Sequence, residues 1–134
     1  MKAFRIDLPE NTASVTPRVL SQKVLQVMQL LNMYHAELAR VLGWQCADIA
    51  ALSNGRRCLQ PASYAWEQAL LFIRLYNRLY DRFQGDSVAM YHWMRAHNRM
   101  LAGIPHFLIV DNGALQEVYD CLGTENPPEH STKC

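Results

Sequence analysis

The sequence predicts an all-α fold, and three observations carry that reading. Apolar residues recur at three- and four-residue spacing through Leu20, Val24, Val27, Met28 and Leu31, and again through Ala69, Phe72, Ile73, Tyr76, Leu79, Tyr80 and Phe83. Helix-start residues precede such runs, at Thr16-Pro17, at Pro61 and Ser63, and at Asp86. Nothing beyond a short N-terminal arm alternates with the period of two that a half-buried strand needs. The expected architecture is an N-terminal helix-turn-helix bundle, a long connecting helix and a small helical C-terminal domain.

Residues 1–15 read as an extended or mobile arm, because no helical stripe forms before Thr16. Residues 16–60 form the first domain. Thr16 supplies a hydroxyl cap and Pro17 a pre-set first turn, and the helix pair that follows stops at Asn54-Gly55, where a left-handed residue is available. Residues 61–84 read as the longest helix, with the Phe72 stripe inward and Glu67, Arg74, Arg78 and Arg82 outward. Leu71 and Leu75 lie between these faces as a second apolar stripe, which predicts a homodimer contact there. Residues 85–123 begin with Asp86 as a cap, break at Ala102-Gly103-Ile104-Pro105, and continue through a short helix over 105–110. Asp111 is expected to cap a last helix ending at Gly123. Residues 124–134, with paired prolines and no apolar pattern, read as a loose tail.

Composition narrows the function classes. In a chain of 134 residues, half hydrophobic and 19% charged, a folded domain is expected and disorder is not. A formal charge of +1 gives no global attraction to nucleic acid, so any such affinity must come from a local patch. No apolar run reaches the roughly 18 to 20 residues a membrane span needs. The start lacks the apolar core of a secretory signal. Cys46, Cys58, Cys121 and Cys134 are scattered without a C-x-x-C pair, which argues against a zinc site or a disulfide framework and for the cytoplasm. No phosphate loop, nucleophile elbow or carboxylate–histidine cluster is present, so neither an enzyme nor a cofactor is expected.

The stretch from His35 to Arg57 is the more informative of two motifs. Ala39 is small where two helices cross, Gly43 can make a tight turn, and Ile49 can pin a second helix onto the first. That pattern suits a DNA-binding helix-turn-helix. The second helix would present Gln45, Cys46 and Ala47 to the major groove, with Asn54, Arg56 and Arg57 beside it. Gln45 is the best base reader, and the two arginines are the best phosphate contacts, with Arg18, Lys23 and Arg40 on nearby faces. Small apolar residues can touch thymine methyls but make no bidentate bonds, so weak specificity is expected. Asp48 reads most simply as an acid stabilising a helix start. The competing reading is a scaffold that kept this packing and lost its DNA contacts.

The second motif runs from Gly85 to Gly123: Trp93-Met94, then Asn98, Leu101, Gly103, Pro105, Leu108, Gly113, Val118 and Leu122. It resembles the toxin-binding domain of the MbcA/ParS/Xre antitoxin family, which has a W-L near the end of one helix, an N-x-x-L-x-G break, a proline-led short helix and a glycine-led last helix. Family members also place a Cro/repressor-like helix-turn-helix and a long helix before it, so the resemblance covers roughly residues 16–123. The family commonly has a second glycine where Ala102 stands.

The resemblance implies a prokaryotic type II antitoxin. Such a protein binds and occludes a toxin, often a RES-domain enzyme that consumes NAD, and represses its own operon. Trp93, Arg95, His97, Asn98, Arg99, Leu101, Gly103 and Pro105 are the candidate toxin-binding residues. Trp93 reads more readily as a core anchor than as a contact residue, because an aromatic on an apolar stripe usually packs. Asn98 is expected to bond backbone groups where a helix ends, and Gly103 to supply a conformation other residues dislike. Two other functions stay open: a stand-alone transcription regulator, and an interaction adaptor without DNA binding.

Overall fold

The computed structural model describes residues 3–9 and 11–124. Among them the chain is all-helical: α1 (Pro17–Leu30), α2 (His35–Leu42), α3 (Cys46–Ser53), α4 (Tyr64–Phe83), α5 (Ser87–Arg95), α6 (Pro105–Asn112) and α7 (Leu115–Thr124), with a 3-10 turn at Thr12–Ser14. No helix among the described residues is long and apolar enough to cross a membrane. The tail expected over 124–134 lies outside the described residues beyond Thr124.

The chain divides into two compact units. One spans Ile6–Ile73; the other joins residues 3–5 to the chain from Arg74 onward. The expected five-part division is therefore redistributed. The long helix is not a module of its own, since its first half belongs to one unit and its second half to the other. The arm is shared in the same way.

In the first unit, α1 starts as its residues dictate. The Thr16 hydroxyl accepts from the Val19 amide at 3.2 Å, and Pro17 occupies the first turn. Leu20, Val24 and Val27 are fully buried along its inner face. The helix α2 packs on α3, and α3 also packs on α1. Ala39 and Ile49 are buried as their spacing required. Asn32, Gly43 and Gly55 end α1, α2 and α3 with positive φ. Ser21, itself buried, accepts the Leu59 amide at 3.2 Å and satisfies the chain where it leaves the helix pair. Residues 6–9 lie in this unit, with Ile6 buried and Lys23 donating to the Asp7 carbonyl.

In the second unit, the arm's first described residues are fixed to α4. The Tyr76 hydroxyl donates to the Phe4 carbonyl at 2.6 Å, and Arg5 grips Asp81 through Nε and Nη2 at 3.0 and 3.1 Å. Residues 3–9 belong to no helix or strand. Burial pushes the Tyr76 phenol up to about 12. Asp86 caps α5 as expected, accepting from Val88 and Ala89. Helices α5, α6 and α7 pack in sequence, α5 on α6 and α6 on α7. Met90, Met94, Ile109, Leu115, Val118 and Leu122 form their buried core.

Two expectations need correction here. Asp111 does not cap the last helix. It sits inside α6, which runs on to Asn112 and stops at Gly113 with φ +64. A left-handed glycine ended the helix later than the aspartate would have. Arg78 also leaves the wet face expected of it: its guanidinium stacks 3.9 Å over the Tyr119 ring and donates to the Tyr119 carbonyl at 3.0 Å. A Cβ at Gly123 would fall against the end of that guanidinium, so a larger residue there would have to displace the arginine side chain.

Candidate functional site

Gln45 is the cap residue of α3, and its extended backbone turns the chain from α2 into α3. Its amide donates to Asp48 Oδ2 at 3.0 Å, so Asp48 stabilises the helix start as expected. Gln45, Cys46, Ala47 and Ala50 are all exposed. Their outer surface is small and weakly polar, suited to close approach and poor in hydrogen-bonding groups.

The arginines beyond α3 divide. Arg56 is exposed, and its amide donates to Asn54 Oδ1 at 3.1 Å, so the Asn54 oxygen is committed to the turn. Arg57 is not the open phosphate contact the sequence suggested. Its Nη1 donates to Asp48 Oδ1 at 2.7 Å, and its guanidinium lies 3.9 Å over the Trp44 ring. The reason is local. The end of α3 turns back through Gly55 at φ +83, which carries Arg57 to the carboxylate near the start of the same helix. Neither sequence spacing nor propensity signals that return.

Arg18 and Arg57 also line a cavity of about 390 Å³ between α1 and the end of α3, together with Gln22, Leu25, Asn54 and Cys58. Cys46 and Cys58 are free thiols. Cys121, buried on α7, is disulfide-bonded, which the scattered cysteines did not suggest. Among the described residues no group of three histidine, cysteine or acidic side chains is placed to hold a metal ion.

The second candidate region is the break between α5 and α6. Asn98 and Gly103 pair through both backbone groups, at 2.7 and 3.3 Å, and Asn98 Oδ1 accepts the Leu101 amide at 3.0 Å. The result is a closed six-residue clasp. Asn98 is buried and does the work the sequence assigned to it. Gly103 acts differently from the expectation. The positive φ falls on Ala102, at +56, and a Cβ at Gly103 would approach the Leu108 side chain to 3.1 Å. Glycine gives room at 103, and backbone freedom is wanted one residue earlier.

Of the candidate toxin-binding residues, His97 and Arg99 are exposed, while Trp93, Arg95, Leu101 and Gly103 are partly so. Asn98 and Pro105 are buried within the fold and cannot present side chains to a partner. The Trp93 indole N–H is buried with no acceptor among the described residues. Sequence reading missed the apolar side chains this region exposes: Val88, Tyr91 and Phe107, beside Met100. The signal was present in α5, where Val88 and Tyr91 share a face three residues apart while Met90 and Met94 take the core.

The expected dimer stripe is largely absorbed. Leu75 is fully enclosed by its own chain, whereas Leu71 stays partly exposed. Leu75 is thus a core residue and offers no surface to a second copy. No protein-family model and no curated protein matches this chain.

Proposed function

We propose that this chain is the antitoxin of a type II toxin–antitoxin pair. In this reading residues beyond 85 bind and occlude a toxin enzyme, and α2 and α3 act as a DNA-binding helix-turn-helix that represses the operon. The protein acts by steric occlusion and operator binding, with no chemistry of its own. The toxin is of the RES-domain, NAD-consuming kind that the resembled family often has as its partner.

The observation that supports this most is the clasp from Asn98 to Gly103. The N-x-x-L-x-G part of the motif, Asn98 to Gly103, is a single closed structural unit, with exposed His97, Arg99 and Met100 around it. Exposed Val88, Tyr91 and Phe107 add apolar area on the neighbouring helices, the kind of surface a protein partner covers. For DNA, the exposed start of α3 and Arg56 support binding, and the small side chains there support weak specificity. Leu71 is what remains of the homodimer stripe.

Affinity capture of the tagged protein from its native cells tests the reading, with mass spectrometry of what is retained. A stoichiometric small enzyme supports the antitoxin. Recovery of the protein alone, at native expression, favours a stand-alone regulator. The adaptor reading has an observation of its own, since the pairing of Arg57 with Asp48 lowers the positive charge beside α3. Toxin capture without any duplex binding at low salt selects it.

A further inference from the structure

We propose that Asp48 is a built-in competitor for phosphate, setting the nucleic-acid affinity of the α2–α3 pair through its hold on Arg57. The inference rests on the DNA-binding reading above and concerns its regulation.

One carboxylate performs two tasks. Asp48 Oδ2 accepts the Gln45 amide at the start of α3, and Oδ1 accepts from Arg57 Nη1 at 2.7 Å. Trp44, in the turn before α3, lies 3.9 Å below the guanidinium and fixes its plane. Arg57 is therefore held at one face and one edge. Its side chain is still 42% exposed, and the bond to Asp48 takes up only part of the guanidinium's donors. A phosphate reaching those donors meets a guanidinium whose charge a carboxylate already offsets. The two negative groups would sit well inside the Debye length of about 10 Å at moderate salt, so the repulsion is felt at the binding step.

The pair also contributes little as a structural tie, because ion pairs this exposed are weakly stabilising. The cap hydrogen bond does not need the charge, whose loss would remove only a small charge–dipole contribution at the start of α3. An asparagine at 48 keeps an oxygen for the Gln45 amide, so the neutral variant retains the helix start while releasing Arg57. What the charge adds is restraint on binding. Arg56, the neighbouring cation, is exposed and carries the remaining attraction.

The test is fluorescence anisotropy of the full chain on a short mixed-sequence DNA duplex across a salt series. Asp48→Asn should bind about 3- to 10-fold tighter at low salt, with the log affinity against log salt line steeper by about one per subunit. Glu67→Gln, which removes the same charge from an exposed site on α4, should stay within about twofold of the parent. Helical circular dichroism checks the fold, and Asp48→Gln repeats the test with a longer acceptor. Equal affinity of Asp48→Asn and parent overturns the proposal, as does an equal gain in Glu67→Gln. Absence of duplex binding by the parent and both Asp48 variants overturns the DNA-binding reading itself, and this proposal with it.

Discussion

Two breaks in this chain solve the same problem in different ways. Between α2 and α3, the chain turns on Gly43 at φ +74, with the Trp44 amide bonded to the Ala39 carbonyl at 2.8 Å and the Gly43 amide to Arg40. These are the closing bonds of a Schellman motif, and glycine sits at its left-handed position. Between α5 and α6, the left-handed residue is Ala102, and a buried asparagine with two backbone bonds holds the loop. The glycine there, Gly103, makes room for Leu108 instead. A glycine in a sequence therefore has two meanings, conformation or space, and a turn can be held by a side chain where its backbone is unfavourable.

The largest expected effect lies in the unit that holds the clasp. Tyr76 belongs to the unit of the clasp. Its phenol is raised from 10.0 to about 12, so the stability this represents is complete below pH 10 and is lost as pH rises toward 12. The loss should amount to about 2 to 3 kcal/mol in denaturant unfolding, and Tyr76→Phe should lack it. A parent whose pH dependence matches Tyr76→Phe removes that assignment.

Asn98→Ala should come next, at about 2 kcal/mol, because the Leu101 amide loses its acceptor in a partly buried loop. Thermal melts measure it, and a loss below about half a kcal/mol would show that the backbone pair alone closes the clasp.

Gly43→Ala should cost about 1 to 2 kcal/mol from its left-handed backbone. Contact with Tyr64, 3.3 Å from the added Cβ, adds little because that ring is exposed and can swing aside. Ala102→Gly should have the smallest effect and the opposite sign, raising stability by about 0.5 to 1 kcal/mol. A destabilised Ala102→Gly variant would break the comparison, since it would mean that loop entropy outweighs backbone strain.

Local signals were the legible ones. Thr16, Asp86 and Gly55 act where the sequence placed them, because a cap or a left-handed stop depends on a few adjacent residues. Asp111 failed because a stronger stop stood two residues later at Gly113. Leu75 failed for a different reason. The stripe argument treats a helix as having one inner face, whereas the two halves of α4 belong to different units, and both flanks of the second half are buried. The candidate site was legible as positions and not as partners: Arg57 was found, its clasp by Asp48 and Trp44 was not.

By itself the sequence determined the helical class, most helix starts and stops, the buried small residue and branched residue of the α2–α3 pair, and the role of Asn98. These follow from periodicity and from bonds spanning at most a few residues. Only the tertiary structure decided which apolar faces stayed exposed, which glycine needed room, and which arginine was already paired. Those outcomes depend on side chains brought together from distant or returning segments, where no spacing rule applies.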